Sequence, residues 1–212
     1  MRWFFILVSL WFASSIGLRG QELRQGYLDT VKGFFRDWCD ANKHTTNHFI
    51  ADYNPSDSRR FNMKYLIDEL TNSTDSRVIY HYKMTGKEDE YGHIEYKKSD
   101  SITLTVNEMV SIAEKLTRQN RDNFKFDSDF FPEHKFAENK YLDLLFQKRK
   151  FRDSFPGGIR SFSLPIFIYD GQFAAVFHVY MPCQQGGSQL IELYKREDGH
   201  WGQFGFLAGG DW

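Results

Sequence analysis

The pattern that most restricts the fold lies in about the last fifty residues. Phe173–Met181 is almost wholly apolar, which is typical of a central strand covered on both faces. Asp170-Gly171 precedes this run and Asp198-Gly199 follows the next one, and Asp-Gly pairs favour tight hairpin turns. The spacing predicts an antiparallel meander of four strands, over residues 161–168, 173–181, 188–195 and 201–207.

Helical periodicity marks the first two thirds of the chain. Apolar residues recur there at intervals of three and four, which predicts amphipathic helices. Thr105 or Asn107 is suited to cap the third of them. The helices are expected over residues 22–41, 62–72, 107–119 and 137–150.

A change to strand periodicity separates the second helix from the third. Residues 77–84 and 92–97 read as the arms of a hairpin, and residues 102–105 continue in strand-forming residues. The expected fold class is therefore α+β, with N-terminal helices packed on a curved antiparallel sheet that ends in the C-terminal β-meander. Residues 21–212 are expected to form a single domain, because no repeat or low-complexity linker divides them.

Five different short motifs lie along the meander: Ser163-Leu164-Pro165-Ile166-Phe167, Asp170-Gly171 with Ala174-Ala175, Gly186-Gly187, Leu193-Tyr194-Lys195 and Gly199-His200-Trp201. With them, the last fifty or so residues resemble an uncharacterised family of exported proteins from Gram-negative bacteria, and the segment near residue 107 resembles it more weakly. The resemblance implies export and a β-meander, and it implies no activity. The family often has a second cysteine in the loop that holds Cys183; here Cys183 stands alone, so no disulfide within that loop is expected.

The N-terminus has the order of a signal peptide. Arg2 precedes the apolar run 3–12, and small residues follow over 13–17. Cleavage is expected within residues 15–20, with Gly20 favoured because a polar, helical stretch begins at residue 21. An uncleaved anchor is the alternative, but an apolar run of about sixteen residues is short for a hydrocarbon core of about 30 Å. We therefore expect residues 1–20 to be removed and the protein to be periplasmic or secreted, without a membrane span.

The charge balance argues against a nucleic-acid partner. The whole chain has a formal net charge of −1, and loss of Arg2 and Arg19 with the signal peptide leaves 25 basic against 28 acidic residues, or −3. Nucleic-acid binding requires a basic surface that neutralises phosphates. The sequence also has no Gly-rich phosphate loop, G-x-S-x-G or H-E-x-x-H motif, so no cofactor is expected.

His178 is the most informative titratable residue, because it lies within the apolar strand. If the hairpin centres on Gln185, His178 faces Glu192, and Tyr180 and Tyr194 share that face of the sheet. One interpretation is an acid–base or ligand pocket that uses His178 and Glu192, with Tyr180 and Tyr194 as ligand-binding residues. The favoured interpretation is a buried histidine satisfied by a hydrogen bond.

The remaining candidates are weaker. Cys39 and Cys183 could form a disulfide in an oxidising compartment or remain separate buried thiols. Cys183 lacks the local signature of a catalytic cysteine. A metal site could use His81, His93 and Glu95, on the two arms of the first hairpin, although their spacing matches no named motif and they read equally well as surface pairs.

The sequence thus favours a non-catalytic function. Catalytic motifs are absent, and aromatic residues make up 17% of the chain, which suits contact surfaces. We expect a binding or accessory protein of the cell envelope whose partner is a protein or a small ligand. The alternative is an enzyme or a small-ligand pocket that uses His178 and Glu192.

Overall fold

The computed structural model describes residues 25–42, 49–51, 63–88, 93–119, 124–137, 154–155, 157–183 and 186–211. The expected signal peptide lies outside these residues, as does the helix expected over 137–150 except for its first residue, Ala137, which belongs to a strand. In chain order the described elements are α1 (25–41), β1 (Phe49–Ala51), α2 (Met63–Thr71), β2 (Arg77–Glu88), β3 (Ile94–Leu104), α3 (Val106–Gln119), β4 (Lys135–Ala137), β5 (Ile159–Phe162), β6 (Ile166–Ile168), β7 (Phe173–Cys183), β8 (Gly186–Glu197) and β9 (His200–Asp211).

The predicted α+β fold class is confirmed, and within the described residues the main sheet has seven strands in the order β4-β1-β5-β7-β8-β9, with β6 also paired to β7. The expectation of a purely antiparallel sheet is wrong at one side, because β1 runs parallel to both β4 and β5. The long connections that leave and re-enter this side of the sheet allow parallel neighbours, which a tight hairpin cannot join.

The C-terminal meander is confirmed, with its first strand divided in two. Pro165 lies between β5 and β6 and has no backbone N–H to give to a strand ladder. The turn between β8 and β9 has Asp198 at φ 50° and Gly199 at φ 87°, as a two-residue hairpin turn with two positive φ angles requires. Asp170 and Gly171, at φ 54° and 80°, likewise turn the chain into β7.

The strand β7 is covered on both faces, as its apolar sequence predicts. Ala175, Phe177 and Val179 face the layer formed by α2 and α3. Ala174 and Val176 face α1 and an aromatic segment that includes Phe126, Phe130 and Phe131. Because side chains alternate along a strand, one strand supplies the centre of both cores. Four α1 side chains are buried on the sheet: Val31, Phe34, Phe35 and Trp38.

The cap of α3 is Thr105 rather than Asn107. Thr105 Oγ1 accepts a hydrogen bond from the Glu108 backbone N–H at 3.3 Å, and Glu108 Oε2 accepts one from the Thr105 backbone N–H at 2.8 Å. This reciprocal pair is a capping box. The bond from the Thr105 backbone lowers the pKa of Glu108 below its ordinary value.

Replacing the cap gives a direct test of this arrangement. We expect Thr105→Ala to lower the free energy of unfolding by about 1 kcal/mol, because it leaves the Glu108 N–H without its acceptor. Asn107→Ala is the matched control and should be neutral or slightly stabilising, since Asn107 is exposed on the helix. Urea unfolding of both variants measures the difference. Equal losses would contradict the assignment of the cap to Thr105, and a larger loss in Asn107→Ala would assign it to Asn107.

Candidate functional site

A polar network lies on the α1 face of the main sheet. The ladder of β5 and β7 places Arg160 opposite Tyr180 and Phe162 opposite His178. On β8, Glu192 and Tyr194 point to the same face, because residues two apart on a strand share a face. The structure thus brings together four of the residues singled out from the sequence: His178, Glu192, Tyr180 and Tyr194.

The register differs from the predicted one by two residues. His178 lies opposite Leu190, and Glu192 lies opposite Val176. The prediction that His178 pairs directly with Glu192 is wrong for two reasons. Cys183 pairs with Gly186, one residue from the predicted register, and a β-bulge between Tyr180 and Cys183 adds the second residue. A shift of two keeps the same face, so His178 still reaches Glu192 along a diagonal of the ladder.

Both ring nitrogens of His178 contact charged groups. Arg160 Nη1 lies 3.1 Å from His178 Nε2, and His178 Nδ1 lies 3.2 Å from Glu192 Oε2, although not along the direction of an N–H hydrogen bond. The imidazole also stacks on Phe162, with ring centroids 4.5 Å apart and planes inclined by 5°. His178 and Glu192 are each 5% exposed, so the ring is held on both edges and one face out of water.

The partners of His178 define its tautomer. A guanidinium can only donate hydrogen bonds, so Nε2 accepts from Arg160. The ring proton then lies on Nδ1, towards the Glu192 carboxylate. In this arrangement His178 lies between one cation and one anion.

Glu192 is the anion at the centre of the network. Tyr194 Oη donates to its Oε2 at 2.7 Å, and Gln203 Nε2 donates to its Oε1 at 3.2 Å. Burial raises the pKa of Glu192, but the contacts with His178, Tyr194 and Arg160 outweigh it and hold the pKa below the ordinary value. Burial and the adjacent carboxylate raise the pKa of Tyr194 well above its ordinary value, so Tyr194 remains a donor.

Arg160 is the cation at the edge of the network. Its guanidinium lies 4.3 Å from the centroid of the Tyr180 ring and 5.6 Å from that of Trp38. Burial lowers its pKa, whereas Tyr180 and Glu192 act in the opposite direction. The network therefore joins four strands of the sheet, β5, β7, β8 and β9, to α1. Its polar groups are directed at one another, which favours a structural role over acid–base chemistry.

The pKa of Glu192 leads to a prediction about stability at acid pH. The pKa of Glu192 is lower in the folded protein than in the unfolded chain, where it is near 4.5. Ionised Glu192 therefore stabilises the fold at pH values above 4.5, and this stabilisation is lost as the pH falls through the pKa of the folded protein. Glu192→Gln should lower the free energy of unfolding at pH 7 by about 1–3 kcal/mol, since it removes the buried charged acceptor of the hydrogen bonds from Tyr194 and Gln203. The free energy of unfolding should therefore fall less below pH 4.5 in the variant than in the wild type.

Urea unfolding at pH 7, 5 and 3.5 measures both effects. Glu114→Gln is the matched control, because Glu114 pairs with Arg118 on an exposed helix surface and its removal should cost less than 0.5 kcal/mol. A wild type and a Glu192→Gln variant that lose equal stability between pH 5 and 3.5 would contradict the assignment.

Cys39 does not form the disulfide that the sequence left open. It is a free thiol, and its Sγ lies 3.8 Å from His134 Nδ1, at a cleft of about 390 Å³. His134 Nδ1 donates to the Pro132 carbonyl at 3.0 Å and is therefore not a base for the thiol. Burial, with Asp40 and Glu133 nearby, raises the pKa of Cys39 to about 12, so the thiol is not activated. The side chain of Cys183 lies outside the described residues.

The three metal-site candidates are not brought together. His81 pairs with Asp100 across the hairpin, stacks on Phe204 at 5.2 Å, and has its Nδ1 3.0 Å from the Phe204 carbonyl oxygen. Glu95 instead accepts from the Thr85 hydroxyl, four residues farther along β2. His93 precedes β3. Among the described residues, no three His, Cys, Asp or Glu side chains form a group that could hold a metal ion.

Six of the ten large hydrophobic residues that are exposed in the described part of the chain lie on the hairpin of β2 and β3. We call five of them the tyrosine face: Val78, Tyr80, Tyr82, Met84 and Tyr96, which are 42–59% exposed. The four β2 residues alternate along the strand, and Tyr96 lies opposite Met84. The sequence indicates this surface. Large apolar residues at successive positions of a strand point to both of its faces, and a single core can cover only one of those faces.

The other face of the hairpin packs on the edge strand β9. Ile79 is buried there, and the side chains of Arg77 and His81 reach the carbonyl oxygens of Leu207 and Phe204. Both contacts satisfy acceptors that an edge strand would otherwise expose. A cleft of about 690 Å³ lies beside this contact, lined by residues of β2, β3 and β9 that include Tyr80, Tyr82, Tyr96, Gln203 and Phe206.

Gly205 allows β9 to approach the hairpin closely. A Cβ at this position would lie 2.7 Å from Ile79 Cγ2, a buried methyl group with little room to move. We expect Gly205→Ala to lower the free energy of unfolding by about 1–3 kcal/mol and to increase proteolysis within β2 and β3. Gly202→Ala is the control, because its Cβ would meet nothing within 4 Å. Equal stability of the two variants would contradict the prediction, because it would mean that Ile79 can move to make room for a methyl group at position 205.

Comparison with known proteins provides no assignment: no protein-family model, curated protein or solved structure matches the chain. Within the described residues, no helix combines the length and the apolar character needed to cross a membrane.

Proposed function

We propose that this chain is an exported, non-catalytic binding protein of the cell envelope that contacts a protein partner through its tyrosine face. The exposure of five large side chains on one face of a two-stranded sheet carries the proposal. Export rests on the order of residues in the segment 1–20 and on the resemblance of the meander to exported proteins.

The composition of the tyrosine face is that of a contact surface. Isolated exposed apolar residues are ordinary, but a contiguous patch on one strand pair is typical of an interaction site. Tyrosine and methionine are enriched at protein interfaces. A tyrosine on a sheet also loses little conformational entropy on binding, because its ring has only two rotatable side-chain bonds.

The geometry of the rings favours a protein over a polysaccharide. Tyr80 and Tyr82 have ring centroids 6.4 Å apart with planes inclined by 60°, so the two rings do not form a flat platform for stacked sugars. Inclined rings leave gaps that apolar side chains of a partner can fill. Lys98 Nζ already lies over the Tyr80 ring, 3.8 Å from its centroid, which places a cation within this face.

The charges of the hairpin define the partner further. Lys98 lies on the tyrosine face, opposite Tyr82, whereas Lys83 and Lys97 pair with each other on the opposite face of the hairpin. We therefore expect a partner with apolar side chains and a carboxylate that meets Lys98. Lys97, Lys98 and the bulge at Ser99 disfavour addition of a strand along β3, so the partner contacts side chains rather than a strand edge.

The enzyme alternative has less support. Catalysis by His178 and Glu192 requires access of a substrate to groups that are each 5% exposed and already directed at Arg160 and Tyr194.

Site-specific photocrosslinking tests the proposal. A benzophenone amino acid placed at Tyr82 or Tyr96 of the full chain in its native host should crosslink one and the same protein. The same group at Tyr65, which is 58% exposed on α2, is the matched control and should not give that adduct. Adducts that are absent, or identical at all three positions, would overturn the proposal.

Affinity measurements with the crosslinked protein complete the test. Tyr82→Ala should weaken binding by about ten- to thirtyfold, as expected at a hot spot, and should leave stability within about 0.5 kcal/mol because the side chain is exposed. Lys98→Glu should weaken binding more at low salt than at high salt, because salt screens the charge that it reverses. Undiminished binding by Tyr82→Ala would exclude this face as the contact.

A further inference from the structure

The cleft of about 690 Å³ beside the hairpin joins the tyrosine face to the edge of the main sheet. On β9, Phe206 and Gln203 lie opposite two β8 residues of the polar network, so their side chains point to the same face of the sheet as that network. They line the cleft together with three rings of the tyrosine face, Tyr80, Tyr82 and Tyr96. The exposed apolar surface thus continues from the hairpin onto β9, where Phe206 is 52% exposed.

The size and shape of the cleft suit a segment of polypeptide. Ligand pockets have volumes of about 300–1,000 Å³ and enclose about 70–90% of the surface of a small ligand. This cleft has such a volume, but Tyr82, Tyr96 and Phe206 at its rim are each 52–59% exposed, so an occupant stays in contact with water along one side. A peptide can extend beyond both ends of an open groove and add contacts there, whereas a small molecule cannot.

The polar groups around the cleft distinguish a peptide from a hydrocarbon chain. Gln203 Nε2 donates to Glu192 Oε1 at 3.2 Å. Because a carboxylate only accepts, this bond fixes the orientation of the amide and makes Gln203 Oε1 an acceptor on one wall of the cleft. Lys98 Nζ, 3.8 Å from the centroid of the Tyr80 ring, adds a positive charge to the other wall. A peptide has N–H donors and carboxylates that can meet both groups, and a lipid tail has neither.

The edge of β9 is a poor template for an added strand. The carbonyl oxygens of Phe204 and Leu207 accept hydrogen bonds from His81 Nδ1 and Arg77 Nη1 of the hairpin. Phe204 and Leu207 are also the extra residues of two β-bulges, which interrupt the ladder of β9. Because this edge is occupied and interrupted, a segment in the cleft is recognised through its side chains.

We propose that the cleft holds one linear segment of the protein partner, in which a large apolar side chain packs on Phe206 and a carboxylate meets Lys98. The proposal rests on the binding function proposed above and specifies the part of the partner that binds. Because β2 lies between β3 and β9, the two contacts are about two strand spacings apart, or about 10 Å. An extended chain covers that distance in about three residues, which is the separation of the two side chains in the segment.

Photocrosslinking from both walls of the cleft tests the proposal. In the full chain in its native host, a benzophenone amino acid at Phe206 should give an adduct with the same protein as one at Tyr96. Mass spectrometry should place both adducts within one stretch of about ten residues that contains Asp or Glu, as a single extended segment requires. Tyr65 on α2, which is 58% exposed, is the matched control and should not give this adduct.

The outcomes separate the cleft from the tyrosine face. An adduct at Tyr96 with none at Phe206, or adducts in two distant stretches of the partner, would refute the segment and leave the binding function in place. Absence of adducts at both positions would refute both proposals. An adduct between two copies of this chain would refute the segment and identify the face as a dimer interface.

A synthetic peptide of the crosslinked stretch provides the affinity readout. Phe206→Ala should weaken its binding to the full chain by about tenfold, whereas Tyr65→Ala should leave the affinity unchanged. Lys98→Gln should weaken binding of this peptide by about fivefold, but not of the same peptide with its Asp or Glu replaced by the amide, because the ion pair is then already absent.

Three results would contradict the proposal. They are full affinity of Phe206→Ala for the peptide, an equal effect of Lys98→Gln on the two peptides, and displacement of the peptide by phosphatidylglycerol vesicles. The last result would assign the tyrosine face and the cleft to a membrane surface, and it would refute the binding function as well.

Discussion

The burial of β7 on both faces is the constraint from which the rest of the architecture follows. A strand with no solvent-facing side needs a hydrophobic layer on each side of the sheet. The helices α2 and α3 form one layer, and α1 with the aromatic segment around Phe131 forms the other. The helices are therefore divided between the two faces rather than collected on one.

The same constraint explains why the polar groups of the network lie against one another. His178 and Glu192 lie on a sheet face that α1 covers, so neither can be solvated and each must be satisfied by a neighbour. Arg160 contacts His178, and Tyr194 donates a hydrogen bond to Glu192. Because Trp38 and Phe34 of α1 pack on Phe162 and Tyr194, the packing of the helix depends on the same side chains.

The sequence predicts the elements of the fold better than their pairing. Helical periodicity located α2 and α3 to within about a residue, and Asp-Gly pairs located both turns of the meander. The parallel pairing of β1 could not be predicted, because three residues carry no pattern that specifies a neighbour. The two-residue change of register between β7 and β8 arises in equal parts from the pairing of Cys183 with Gly186 and from a bulge between Tyr180 and Cys183, and neither has a signature in the sequence. The face shared by His178 and Glu192 was nevertheless predicted correctly, since a shift of two preserves it.

The aromatic residues divide by type between core and surface. The rings packed between α1 and the sheet are mostly phenylalanine, such as Phe34, Phe35 and Phe131, whereas the exposed rings of the hairpin are all tyrosine. The phenolic hydroxyl lets a ring face water at little cost while its edges remain available for contact. A hairpin built for packing alone would not need large rings on its outer face. That choice of residue is the physical reason for assigning binding to the hairpin and structure to the network beneath α1.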